Sequence, residues 1–169
     1  MSVQIRLGQR SDVALILRLI KALSVYEKLE DKVVATEEKV DRALFGPRPY
    51  AETLIAEQDG EAVGFALFFH NFSTFLAQPG IYLEDLFVLP ERRGGGVGRA
   101  LLERLAQLAV ERGCGRLEWA VLDWNVDAIR FYERIGAKPN AEWTVYRLTG
   151  ESLQRVAAPG APRAHLPRE

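Results

Sequence analysis

Between Tyr82 and Leu102 the chain reads Tyr-Leu-Glu-Asp-Leu-Phe-Val-Leu-Pro-Glu-Arg-Arg-Gly-Gly-Gly-Val-Gly-Arg-Ala-Leu-Leu. This is the order strand, tight glycine loop, amphipathic helix. Glycines let the backbone bend through conformations closed to other residues and let it approach a ligand closely. The first turn of the helix that follows offers unpaired N–H groups and the positive end of a dipole. A phosphate or pyrophosphate is the natural guest of such a site.

Two common glycine loops can be tested against the letters. A P-loop needs Lys-Ser or Lys-Thr after its glycines, and none follows here. The dinucleotide fingerprint G-x-G-x-x-G puts its last glycine on Arg99 or on Leu101, depending on the start, so it fails too. What stands is Arg93-Gly94-Gly95-Gly96-Val97-Gly98, an R-x-x-G-x-G pattern directly after Val88-Leu89-Pro90.

In that setting the pattern resembles the pyrophosphate loop of the GNAT superfamily of acetyl-CoA-dependent N-acetyltransferases. A second segment, Trp124-Asn125-Val126-Asp127-Ala128-Ile129-Arg130-Phe131-Tyr132-Glu133-Arg134-Ile135-Gly136-Ala137, resembles the family's N-x-x-A-x-x-F-Y-x-x-x-G stretch, in the family's order and separation. Within the superfamily the chain is most similar to the diamine (spermidine/spermine) acetyltransferase branch, through Leu19 to Glu27 and Tyr82 to Val88. The resemblance runs from about Val3 to Val156.

Composition narrows the alternatives. At 169 residues one domain is the default, and 48% apolar residues suffice for a proper core. Charges almost balance at −1, which argues against a nucleic-acid partner. No apolar run approaches a membrane span, and the N-terminus lacks the layout of a signal peptide. A single cysteine, Cys114, rules out an internal disulfide and suits the cytoplasm. Two separated histidines, His70 and His165, and no cysteine cluster give no metal site.

Along the chain, Val3 to Leu7 reads as a strand. Ser11 or Asp12 is placed to cap a helix carrying Val13, Ile16, Leu17, Ile20 and Leu23. Thr36 starts a second helix that ends near Gly46-Pro47. Tyr50 to Glu57 and Glu61 to His70 form strands across an Asp59-Gly60 hairpin turn. Asn71 to Gly80 reads as a loop and Ile81 to Leu89 as the central strand. Val97 to Arg112 is a helix, Arg116 to Leu122 a strand, Asp127 to Ile135 a helix closed by Gly136, and Trp143 to Leu148 a last strand. Glu151 to Ala157 adds a helical turn or two. A domain over 1–157 is expected, with a mobile tail over 158–169.

Strands that cluster, with helices between them, give a mixed α/β (α+β) protein. The resemblance makes this the GNAT fold: a mixed, mostly antiparallel central sheet flanked by helices on both faces, its splayed strands binding acetyl-CoA. It further implies the contacts. Arg93, Gly94, Gly95, Gly96, Val97, Gly98 and Arg99 cradle the pyrophosphate, mainly through backbone N–H groups. Leu86, Phe87 and Val88 offer backbone to the pantetheine arm, and Asn125, Ala128 and Phe131 complete the cofactor site. Arg92 and Arg134 are either solvated or reach the adenine side.

Acetyl-CoA is already activated, so the difficulty lies with the amine. An alkyl ammonium has a pKa of about 10.4, and holding its free base at pH 7 costs roughly 4.6 kcal/mol. A base must take the proton. Glu84 on the core strand is the candidate, and the resemblance gives its position the role of a water-mediated base, with Asp85 on the opposite face by strand alternation. By residue type alone either acid is as well a solvated strand-end residue. Tyr132, with a pKa of about 10, suits donation to a departing thiolate. By residue type alone it is core, and Asn125 is a helix cap; the resemblance makes Tyr132 the general acid.

Tyr26, Glu27, Glu30 and Asp31 close the first helix, and carboxylates there attract a cationic amine. The resemblance assigns Tyr26, Glu27, Glu84 and Asp85 to the acceptor site. The segment 71–80 departs from the diamine branch: Thr74 and Leu76 stand where that branch brings an Asp and a Trp, and the segment has no acid. A short cation such as a small diamine or a lysine-like amino acid fits better than a long polyamine. The expected function is N-acetyl transfer to the primary amine of a small cationic acceptor (diamine, polyamine or lysine-like amino acid) by direct attack in a ternary complex, by a cytoplasmic homodimer without metal. The alternatives are an acetyl-CoA sensor without turnover and a protein lysine or N-terminal acetyltransferase.

Overall fold

In the computed structural model, which describes residues 2–158, five strands form one sheet in the order β1-β2-β3-β4-β5. They are β1 (Val3–Leu7), β2 (Glu52–Gln58), β3 (Glu61–Ser73), β4 (Gln78–Val88) and β5 (Leu117–Trp119). The first four pair antiparallel, and β4 pairs with β5 in parallel. Helices α1 (Val13–Glu27), α2 (Glu37–Phe45) and α3 (Val97–Glu111) connect them, and α4 (Val126–Arg134) and α5 (Gly150–Ala157) follow. The chain divides into two compact units, Met1–Leu122 and Asp123–Glu169.

In the first unit, strand alternation sends side chains to both faces, and both are covered. Ile55, Phe65 and Phe87 pack in one cluster with Ile16, Leu19 and Leu23 of α1 and Val40 and Leu44 of α2. Leu86 and Val88 point the other way, onto the start of α3, where a side chain added at Gly98 would meet them at 3.6 and 3.7 Å. Leu54, Phe68, Ile81, Leu83, Leu101 and Leu105 are almost wholly excluded from water. Each such side chain contributes about 1.5–3 kcal/mol.

Local signals explain most boundaries. Asp59 and Gly60 turn at φ 53 and 81, the left-handed pair a two-residue hairpin needs. Thr36 caps α2, its hydroxyl accepting from the Lys39 N–H at 3.3 Å. Neither Ser11 nor Asp12 caps α1 through its side chain. The Asp12 carboxylate instead accepts from the Arg6 guanidinium at 2.7 and 2.9 Å and from the Gln9 N–H at 2.8 Å.

Three elements differ from expectation. The segment 71–80 is mostly strand: β3 runs to Ser73, β4 starts at Gln78, and only 74–77 is left as the turn. β5 stops at Trp119 instead of Leu122 because its ladder with β4 ends at Leu83↔Trp119. Trp143 to Leu148 is not a strand. Its alternating apolar side chains are exposed, Trp143 by 72%, Val145 by 87% and Tyr146 by 93%. Apart from Ala158, the expected tail lies outside the described residues.

In the turn of the β3–β4 hairpin, Ala77 sits at φ 51. Left-handed backbone costs a residue with a Cβ about 1–2 kcal/mol, part of which glycine returns through its freer unfolded state. Ala77→Gly is expected to stabilise the protein by about 0.5–1 kcal/mol. A urea titration should show a higher midpoint with an unchanged slope.

Candidate active site

β4 positions the site through one irregularity. Leu67 of β3 lies opposite Asp85, yet the next residue, Phe68, lies opposite Leu83. Glu84 is therefore the extra residue of a β-bulge. The bulge reverses the direction of the backbone groups. The Ile81 N–H donates to the Arg116 carbonyl at 3.0 Å, so Ile81 turns toward β5, while the Leu89 N–H donates to the Val63 carbonyl at 2.9 Å, toward β3. Unbroken alternation over those eight residues would turn both the same way. Counting back from Leu89, Val88 and Leu86 direct their N–H and C=O groups away from β3. The β5 ladder has already ended at Leu83. Leu86 and Val88 thus present an open backbone edge, as the splayed strands of the expected fold require.

The bulge also interrupts the simple alternation expected across Glu84 and Asp85. Asp85 lies opposite Leu67 and Phe87 opposite Phe65, and both partners pack on the α1 side. Asp85 therefore faces the last turn of α1, where Tyr26 and Glu27 stand. Its carboxyl is pushed up to about 6, first by burial, then by the negative charges of Glu84 and Glu27. Burial also pushes the Glu27 carboxyl up. Among the described residues no lysine or arginine forms a salt bridge with any of the three acids. Glu30 and Asp31 do not join them: both are exposed, and Asp31 pairs with Lys32 at 2.7 Å.

After β4, a turn over Pro90–Arg92 leads into the glycine loop. Gly94 and Gly96 adopt φ 81 and 82, and open space surrounds the point where a Cβ would sit on each. The first bond of α3 runs from the Ala100 N–H to the Gly96 carbonyl at 2.9 Å. It leaves the Val97, Gly98 and Arg99 N–H groups outside the helical ladder. The nearby arginine side chains are otherwise engaged: Arg99 pairs with Glu103 at 2.7 Å and Arg92 with Glu61 at 3.0 Å. Arg93 donates from Nε to the Val88 carbonyl at 3.0 Å and lays its guanidinium 4.1 Å from the centre of the Tyr26 ring. What the loop offers an anion is therefore mainly backbone N–H. A pyrophosphate fits there, with a pantetheine arm along the edge at Leu86 and Val88.

Sequence reasoning assigned Arg93 to the phosphate loop and missed its contact with Tyr26; no spacing in the letters encodes it. It also passed over Gln58, buried at the end of β2 with its amide nitrogen 3.8 Å from where a Gly95 Cβ would sit.

In the second unit, Asn125 caps α4, its side-chain oxygen accepting from the Ala128 N–H at 3.3 Å. Gly136, at φ 91, closes the helix: its N–H donates to the Glu133 carbonyl at 3.0 Å and the Ala137 N–H donates to the Tyr132 carbonyl at 3.1 Å. Ala128, Phe131 and Tyr132 are half-buried, and the Phe131 and Tyr132 rings meet at 5.5 Å.

A bulged strand with an open edge, running into a glycine loop and a helix N-terminus, is the arrangement that the resemblance to the acetyltransferase superfamily implies for this α/β fold. The pattern of the acetyltransferase (GNAT) family matches residues 21–137, and the chain belongs to that family. It is similar to the thialysine N-epsilon-acetyltransferase of Bos taurus, at 39% identity over 92% of this chain and 97% of that protein. The L-ornithine N5-acetyltransferase of Arabidopsis thaliana shares 35% identity over 90% and 87% of the two chains. Among solved structures, an integron cassette protein from the mobile metagenome of V. cholerae matches with a TM-score of 0.78 and 29% identity, over 93% of this chain and 98% of that one.

The raised Asp85 pKa has a consequence for stability. Between the ordinary aspartate range and about 6 the folded protein holds a proton that the unfolded chain has lost, so stability falls as pH rises through that window. Asp85→Asn carries no charge and escapes the loss. It should be about 1–3 kcal/mol more stable than the parent at pH 8, with the gap closing toward pH 4. Urea titrations at the two pH values check this; an equal gap at both would contradict it.

Proposed function

We propose that this protein transfers the acetyl group of acetyl-CoA to the primary amine of a small cationic acceptor, a short diamine or a lysine- or ornithine-like amino acid. The observation that carries the proposal is the group of three carboxyls, Asp85, Glu84 and Glu27, on and facing the strand whose open edge leads to the glycine loop. Relatives named for thialysine and L-ornithine acetylation support a small amino-acid acceptor.

Bound acetyl-CoA supplies an activated thioester; the chain's own residues handle the amine. Glu27 and Glu84 attract the ammonium, and Asp85 takes its proton, directly or through one water. A carboxylate with a pKa of about 6 is a better acceptor for that proton than an ordinary one. The amine nitrogen then bonds to the carbonyl carbon as the carbon–sulfur bond breaks, and the second proton that the nitrogen sheds replaces the one Tyr132 gives to the sulfur. Tyr132 is the proposed donor of the proton that the leaving sulfur takes. Backbone groups of Leu86 and Val88 and the loop from Arg93 to Arg99 hold the cofactor, with Asn125, Ala128 and Phe131 of the second motif. This division of work needs no metal.

The same reading makes the protein a cytoplasmic homodimer. The exposed apolar run from Trp143 to Leu148 supports the dimer, because its side chains need cover. The single cysteine agrees with a reducing compartment. Sedimentation should give twice the 19.0 kDa chain mass, and a species of chain mass alone would overturn the dimer.

Thiol release from acetyl-CoA, measured with putrescine, spermidine, ornithine, lysine, thialysine, an aminoglycoside and a lysine peptide, tests the function. Strong release is expected with the short diamine or the amino acids. Acetyl-CoA binding without release in any arm would favour a sensor. Release with the peptide alone would make the acceptor a protein. With an accepted amine, Tyr132→Phe should lower kcat by about 100-fold with little change in KM. An unchanged kcat would remove Tyr132 from the chemistry.

A further inference from the structure

We propose that Arg93 is a positioning residue that fixes the acceptor wall against the cofactor edge. The inference rests on the acetyl-transfer reading and assigns its first loop arginine a task other than holding phosphate.

The Arg93 side chain has two anchors on two elements. Nε donates to the Val88 carbonyl, 3.0 Å away, at the end of the open β4 edge. The guanidinium carbon lies 4.1 Å from the centre of the Tyr26 ring and 5.7 Å from that of Phe87. A planar guanidinium can donate in its plane and stack with its face at the same time; an ammonium cannot. Among the described residues no salt bridge engages Arg93, although Arg92 and Arg99 on either side both pair with glutamates. The side chain turns onto the acceptor helix, and only its backbone continues into the loop.

Tyr26 is the residue of the acceptor helix that this side chain reaches. It lies in the last turn of α1, which closes with Lys28 at φ 60, the Leu29 N–H donating to the Ser24 carbonyl at 2.9 Å. Beyond that turn the chain is exposed from Lys28 to Asp31. Tyr26 packs against the hydrophobic core, and its partners include the Phe87 ring, 6.5 Å away and tilted by 50°, and Arg93. Glu27, next to Tyr26, is one of the charges acting on Asp85. Fixing Tyr26 therefore fixes how the acceptor carboxylates face the base. Because Arg93 directly precedes Gly94, the same side chain ties the acceptor wall to the first residue of the cofactor loop.

The test uses the whole protein with Arg93→Gln, Arg93→Lys, Tyr26→Leu and the Arg93→Gln/Tyr26→Leu double variant. Three readouts are taken: KM and kcat for the accepted amine, the acetyl-CoA Kd by calorimetry, and amide hydrogen exchange over 24–29. Arg93→Gln should raise the amine KM about tenfold and leave kcat within about threefold and the acetyl-CoA Kd within about twofold. Exchange over 24–29 should quicken several-fold while β1 and β2 stay as in the parent. Arg93→Lys should resemble Arg93→Gln, since it keeps the charge and loses the fork. On the Tyr26→Leu background Arg93→Gln should add less than twofold. A weaker acetyl-CoA Kd with an unchanged amine KM, effects that multiply in the double variant, or unchanged exchange over 24–29 would each overturn the proposal. If the acetyl-transfer reading itself fails, the parent protein releases no thiol with any amine, and the exchange difference then stands as the separate measure of the Arg93 contact.

Discussion

The extra residue at Glu84 in β4 is the constraint on which the site depends. Without it, the backbone groups of Leu86 and Val88 would point into the β3 ladder, and those of Asp85 and Phe87 would form the free edge in their place. With it, the strand ends as an open edge aimed at the glycine loop. A bulge interrupts its ladder and leaves a residue unpaired. Here the same distortion places Asp85 against the end of α1, where burial and two like charges push its carboxyl up to about 6. One local irregularity thus sets both the direction of the backbone edge and the position of this carboxyl, the two parts on which the proposed function draws.

The two halves of this arrangement carry opposite electrostatics. The loop and the start of α3 offer N–H groups and a positive dipole end to an anion. The carboxyls of Glu27, Glu84 and Asp85 stand together with no salt bridge to neutralise them among the described residues. Neutralising the acids internally would remove the attraction for an ammonium and lower the Asp85 pKa. The arginines of the segment, Arg92, Arg93 and Arg99, are each spent elsewhere: on Glu61, on Tyr26 and Val88, and on Glu103.

Much of this was legible in the letters because the signals are local. Asp59-Gly60, Gly136 and Thr36 act through their own backbone or side chain, and each marks the turn, stop or cap it should. The glycine loop is readable for the same reason: Gly94 and Gly96 take a φ that few other residues tolerate. What could not be read depends on partners. Trp143 to Leu148 has the alternation of a strand, but a strand exists only within a ladder, and these residues join none. Asn71 to Gly80 is rich in turn formers, yet pairing from Asn71↔Gly80 to Ser73↔Gln78 extends the hairpin regardless. The bulge at Glu84 leaves no mark in the sequence, so the burial of Asp85 beside the end of α1 could not be read from the letters. The Arg93 contact with Tyr26 joins residues far apart in the chain, and pattern reading has no access to it.

The central claim is that β4 holds Asp85 in a dry, negatively charged setting beside the acceptor wall. Carbon-13 NMR titration of the aspartate and glutamate carboxyl carbons, run on the parent protein and on Asp85→Asn, tests it most directly. The account predicts one aspartate signal titrating near pH 6 that vanishes in the variant. If the Asp85 signal titrates in the ordinary carboxylate range, near pH 4, the account of the site is wrong.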